Sequence, residues 1–174
     1  MSLTYLPENT HVTFELQGTL PILRERYVSP QAGTVVLKGL FNQTAHIETP
    51  DGTLYRMRSP KKDSQYLNHI FYSIIRLSDK TEILRLRTPM NLQKGSVPRL
   101  RYTTLLDEQQ YVFKQVSPGL RGFELWDGME MQKLISRKPG NSLIADLTVQ
   151  APVPTLLILL FPWLDNQTIM YKQK

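Results

Sequence analysis

Residues 156–164 read Leu-Leu-Ile-Leu-Leu-Phe-Pro-Trp-Leu, a stretch with no charge whose one polar side-chain hydrogen is on the Trp163 indole. A helix that is apolar on every side must be enclosed by protein or lipid. Stretched back to Ala151, the run still falls short of the roughly 20 residues that a membrane-spanning helix needs. A helix buried in the chain's own core is therefore expected over about residues 153–165. Pro154 suits a first helical turn, where a missing N–H leaves nothing unpaired, whereas Pro162 should kink or shorten the helix to about two to three turns. The rest of the chain must then supply a shell wide enough to wrap it.

That shell is legible as strands. Short alternating or β-branched runs recur at spacings of roughly 8–12 residues, the pattern of an all-β domain. Strands are expected at residues 11–16, 20–28, 34–38, 44–48, 53–58, 70–77, 82–87, 99–106, 110–115, 122–126, 129–136 and 142–149. Asp51-Gly52 and Asp127-Gly128 each divide two alternating runs, and Asp-Gly is favoured where a hairpin turn needs φ > 0. Ser29-Pro30-Gln31-Ala32-Gly33, Ser117-Pro118-Gly119 and Pro139-Gly140-Asn141 add turns, and residues 59–69 form the longest polar connection. With 174 residues, 41% hydrophobic and 21% charged, the chain has globular composition and fits a single domain, residues 1–174. At an offset of 76 residues, Val36, Leu37, Lys38, Ile47, Glu48, Asp51 and Gly52 fall on Val112, Phe113, Lys114, Phe123, Glu124, Asp127 and Gly128, which hints at two similar halves.

About twelve strands followed by one wholly apolar C-terminal helix is a distinctive order. Its carriers are the Asp51-Gly52 hairpin with Thr53-Leu54-Tyr55-Arg56-Met57, its echo at Asp127-Gly128, and the closing segment 151–164. On these residues the chain resembles the tubby C-terminal-domain superfamily, which includes LURP-one-related proteins and phospholipid scramblases, over roughly residues 11–165. The resemblance implies a mainly β fold: a closed antiparallel barrel of about twelve strands around a buried hydrophobic C-terminal helix. Two departures limit it, the absence of an acidic calcium-binding run of the scramblase kind and the presence of Pro162 in the helical segment. No binding-site residue is carried over from tubby proteins.

The charge is unevenly placed. Of the net +6, residues 54–106 hold eleven basic and three acidic groups, against three and five in residues 1–53 and seven of each in residues 107–174. Four Arg-x-Arg pairs stand out: Arg24/Arg26, Arg56/Arg58, Arg85/Arg87 and Arg99/Arg101. Strand residues two apart share a face, so each pair projects two guanidinium groups outward while Met57, Leu86 and Leu100 point inward. If these strands are neighbours, Arg56, Arg58, Arg76, Arg85, Arg87, Arg99 and Arg101 form one cationic surface, and arginine forks match phosphate oxygens at two points. The competing reading is the polar outside that any barrel presents, where arginine suits exposed strand positions. Lys61-Lys62 either extends the patch or solvates a turn.

Other chemistries find little support. The chain has no cysteine, which excludes disulfides and thiolate metal sites. His11, His46 and His69 have no metal-ligand spacing, and Asp107-Glu108 reads as a turn. There is no nucleophile elbow, P-loop or dinucleotide fingerprint. Tyr55, Tyr72 and Tyr102 have inward parity, which leaves few rings for base stacking and ranks nucleic acid below lipid as a partner. Trp126 and Trp163 read as core or barrel-rim packing. The expectation is a non-enzymatic module with no cofactor and no metal, whose partner is an anionic lipid or other polyanion. The rivals are a carrier of a small apolar ligand in the barrel lumen and an unrecognised enzyme. With no signal-peptide pattern at the N-terminus, a cytoplasmic location, peripheral to membrane, is expected, and the oligomeric state is left open.

Overall fold

The structure, a computed structural model, describes residues 3–20, 24–38, 44–90, 100–116, 122–137 and 146–170. In chain order the strands are β1 (Tyr5–Leu6), β2 (His11–Thr13), β3 (Glu15–Leu20), β4 (Arg24–Ser29), β5 (Gly33–Lys38), β6 (Thr44–Glu48), β7 (Leu54–Met57) and β8 (Lys61–Lys62). There follow β9 (His69–Arg76), β10 (Glu82–Pro89), β11 (Arg101–Leu106), β12 (Gln109–Gln115), β13 (Phe123–Asp127), β14 (Lys133–Arg137), β15 (Asp146–Val149) and β16 (Val153–Pro154). Two helices close the chain, α1 (Thr155–Ile158) and α2 (Phe161–Met170).

Thirteen strands form one antiparallel path, β2-β15-β14-β13-β12-β11-β10-β9-β7-β6-β5-β4-β3, with β8 added alongside β9. The two ends of this path, β2 and β3, are consecutive in the chain and separated only by Phe14, so the sheet curls into a nearly closed barrel. Thr13 pairs with Asp146 on one side of this seam and Glu15 with Val28 on the other. One bent strand thus serves both edges, which is how the thirteen elements correspond to the twelve expected.

The interior follows from alternation. Tyr55, Met57, Tyr72, Ile74, Leu84, Leu86 and Tyr102 all turn inward and are buried. They meet the apolar C-terminal run, in which Leu157, Leu160 and Trp163 are fully buried. Trp163 lies edge-on to Tyr72 and Tyr102, with centroids 4.6 and 5.7 Å away, and Phe161 packs on Phe113 at 5.5 Å. Pro162 acts as its chemistry demands: lacking an N–H, it cannot bond the carbonyl of Ile158, and the helix breaks at Leu159–Leu160. There the Leu160 N–H donates to the Leu157 carbonyl at 3.3 Å before the normal spacing resumes, with the Leu164 N–H on Leu160 at 2.9 Å. Proline in the first turn of α2 is tolerated, so the helix continues to Met170, longer than expected.

Two further contacts fix the helix. At its start β1 pairs with β16, and the Thr155 N–H donates to the Thr4 carbonyl at 2.8 Å. Deeper, Arg137 of β14 donates to Asp165 of α2 at 2.7 Å, both side chains being 5% exposed. Gly122 makes room for this arginine, since a Cβ there would stand 2.8 Å from the Arg137 side chain.

The turns divide into expected and unexpected. Gly52 has φ +82 between β6 and β7, as its Asp-Gly turn requires. At the second Asp-Gly the left-handed residue is instead Glu130, with φ +56, and the turn fills residues 128–132, so the strand expected from 129 begins at Lys133. Gly128 serves close approach: a Cβ there would lie 2.4 Å from that of Gln110. The 59–69 connection contains β8, too short for alternation to announce it. The 76-residue offset preserves which face each residue takes but not register, because Lys114 pairs with Glu124 whereas Lys38 pairs with Thr44. The proposed turns at 117–119 and 139–141, and the strand positions 21–23, 99 and 142–145, lie outside the described residues.

Candidate anion-binding face

β7, β9, β10 and β11 are successive neighbours, which brings most of the sequence-predicted arginines to one side of the barrel. On the outer face Arg56 stands opposite Ile75, Arg85 opposite Ser73, and Arg87 between Phe71 and Thr103. Arg58 continues the line of β7, its backbone N–H bonded to the Ser73 carbonyl at 2.9 Å. Arg101 is exposed on β11, two residues before Thr103. Arg76 has the other parity, opposite Tyr55, and turns to the β9–β10 connection. Arg99 lies outside the described residues, and Arg26 is exposed on β4, on the far side of β5, β6 and β7.

Proximity does not make these cations equivalent. Arg76 binds Asp79 with two N–H groups, at 3.0 and 2.5 Å, which raises the arginine above its ordinary pKa and holds the Asp79 carboxyl far below the usual range. Arg85 donates to Glu82 at 2.6 Å and lies over the Phe71 ring at 4.5 Å, while Ser73 donates to the second Glu82 oxygen at 2.7 Å. Arg87 donates to Asp63 at 2.7 Å and covers Tyr66 at 5.2 Å. Burial alone would raise the Asp63 pKa, but the Gln65 N–H and the Arg87 guanidinium outweigh it and hold the carboxyl below its ordinary value. Arg101 pairs with Glu130, which also takes Lys114 at 3.2 Å. Every one of these carboxylates comes from a turn or a strand end.

Among the described residues Arg26 and Lys80 also lack a carboxylate partner, but four uncompensated cations are grouped along one line. Arg56, Arg58, Lys61 and Lys62 are exposed, and their side chains make no ion pair or hydrogen bond among the described residues. They follow one edge of β9: Arg56 opposite Ile75 and Lys61 opposite Phe71 have the outer parity, while Lys62, opposite Ile70, has the other parity and is nevertheless exposed. The sequence undervalues the two lysines because a two-residue strand carries no periodic signal. The neutralised arginines were readable in part, since Arg76/Asp79 and Glu82/Arg85 are three residues apart.

Beside this line, a cleft of about 250 Å³ opens outside β10–β12, lined by Tyr66, His69, Arg87, Arg101, Thr103 and Val112. It is smaller than the pockets that hold drug-sized ligands or cofactors. Trp126 is half-buried on the outer parity instead of in the core, under Lys114 at 4.2 Å and Lys133 at 5.2 Å. The histidines sit apart: His11 against Asp146 at 2.9 Å, His46 against Lys38 at 3.2 Å, and His69 against the Leu67 carbonyl at 3.0 Å. Among the described residues there is no group of three or more His, Asp or Glu arranged to hold a metal ion, and no helix long and apolar enough to cross a membrane. Asp107 and Glu108, both with φ > 0, form the two-residue turn between β11 and β12.

Compared with known proteins, the chain matches no family model, no curated protein and no solved structure.

Proposed function

We propose that this protein is a non-enzymatic binding module that docks through its outer β7–β8 face onto an anionic surface, namely phospholipid headgroups. The observation that carries the reading is the row of Arg56, Arg58, Lys61 and Lys62, four exposed cations with no carboxylate partner among the described residues. Near an anionic membrane each such residue is worth about 1 kcal/mol. Four together supply useful affinity without any enclosed pocket. Strands curled around a buried C-terminal helix are the pattern on which the resemblance to tubby-type barrels rests, and that resemblance favours lipid over other polyanions. Carriage of an apolar ligand in the lumen is the weaker reading, because Leu157, Leu160, Phe161 and Trp163 occupy that space.

The test is co-sedimentation with phosphatidylcholine vesicles, with and without phosphatidylserine. Binding is expected only with the anionic lipid and should weaken as salt screens the charges. Replacing Arg56, Arg58, Lys61 and Lys62 together by Ser should weaken it by about a hundredfold or more, while Ser at Arg85 and Arg101 should have a much smaller effect. Equal binding to neutral vesicles, or no loss in the quadruple variant, would overturn the assignment.

A further inference from the structure

The connection that follows the cationic line carries an unusual display. Leu67 is 89% exposed and its neighbour Tyr66 51% exposed. A single exposed leucine is ordinary; a leucine held out by a rigid turn is less so. Here the Gln65 N–H donates to Asp63, the Asp63 N–H to the His69 carbonyl at 2.9 Å, and the His69 N–H to the Tyr66 carbonyl at 3.2 Å. Asn68 is left-handed, with φ +60, and its carbonyl accepts the Met90 N–H at 2.6 Å. The Tyr66 ring contacts both Arg87, 5.2 Å from its centroid, and His69, with ring centroids 5.8 Å apart for the latter pair. These bonds fix the backbone of the turn from which Leu67 projects into solvent.

The opposite wall repeats the theme. Gly128 borders the same cleft as Tyr66, and the turn it opens carries Met129 and Met131, 79% and 82% exposed. Two turns therefore bring protruding apolar side chains to one outer face, with Lys61 and Lys62 five to six residues before Leu67. Uncompensated positive charge around an apolar tip complements a bilayer interface, where headgroups take the cations and the acyl boundary takes the leucine. Tyrosine is suited to the headgroup level between them.

We infer that the Tyr66–Leu67 turn is a preformed anchor that enters the interfacial zone of an anionic bilayer, with Met129 and Met131 as a second contact. The inference rests on the lipid-docking reading and adds to it a depth and a point of insertion. Because the chain has no cysteine, Leu67→Cys gives a unique site for an environment-sensitive fluorophore in the otherwise intact protein. Thr148→Cys, exposed on β15, is the control. On phosphatidylserine-containing vesicles the label at position 67 should shift to the blue and be quenched by lipids carrying a nitroxide in the acyl chain, while the label at 148 should not respond. Leu67→Ser should bind about tenfold more weakly with an unchanged melting temperature. Vesicle binding with no spectral shift, and with Leu67→Ser equal to wild type, overturns the anchor and leaves the electrostatic docking standing. No binding to anionic vesicles by the unmodified protein overturns both. An equal shift with a soluble polyanion in the absence of vesicles also overturns the anchor.

Discussion

The inner and outer faces of β7, β9, β10 and β11 are made from alternate residues of the same strands, yet they behave as two different materials. Inside, Tyr55, Met57, Tyr72, Ile74, Leu86 and Tyr102 need only be apolar and of the right volume, and Trp163 fits among them edge-on. Outside, Arg85, Arg87 and Arg101 look alike in sequence to Arg56 and Arg58 but differ in charge balance, because Glu82, Asp63 and Glu130 reach the first three only. The inner face is set by parity alone. The outer face is set by where the turns happen to place carboxylates.

The contrast can be broken most forcefully from within. Trp163→Ala removes the largest fully buried side chain from a tightly packed lumen and should cost about 3–5 kcal/mol. Urea unfolding measures this directly, and the outer variant Arg56→Ser should shift the same curve by no more than about 0.5 kcal/mol. A loss below about 1 kcal/mol at Trp163 would mean the lumen is not close-packed.

A smaller effect is expected where the two materials meet, at the buried Arg137–Asp165 pair. Arg137→Met strands Asp165 away from water and should destabilise the fold by about 3 kcal/mol, whereas adding Asp165→Leu should recover most of that loss. If the double variant is as unstable as the single one, the pair contributes more than charge compensation.

The least severe test concerns the outer face and acidity. The Asp63 pKa is depressed in the folded state, so its contribution to stability is present above the ordinary value of 3.8 and is lost as pH falls through the folded value. Asp63→Asn should therefore be less stable than wild type at neutral pH, and the gap should close below about pH 4. Thermal melts across that range check the sign; a gap that widens on acidification would show that Asp63 is not held as a carboxylate by Arg87.

Much of the barrel is legible in the sequence because period-two patterning reports which way each side chain points. The burial of residues 156–164 is legible because an all-apolar helix has few places to go. Register is less so: Lys38 and Lys114 sit in similar local sequences but face Thr44 and Glu124, since the lengths of connections fix pairing and local pattern does not. The division of the seven proposed arginine positions is hidden in part for the same reason, although Arg76/Asp79 and Glu82/Arg85 are local pairs. Arg87 and Asp63 are 24 residues apart and Arg101 and Glu130 are 29, so no local window contains both partners. Lys61 and Lys62 gain their place only through pairing with Phe71 and Ile70 across a turn.

The seam at Phe14 has a consequence for how such a chain acquires its shape. The first wall strand in the chain, β2, has its partner in β15, which follows every other wall strand. During synthesis the growing sheet must wait as an open cup, able to add hairpins one by one but unable to shut. Only when residues 146–149 emerge can the ring join, and the greasy segment that fills it comes immediately afterwards. Pairings so distant in sequence are slow to form, so the final zip of β2 onto β15 and the seating of Trp163 should be a single late event.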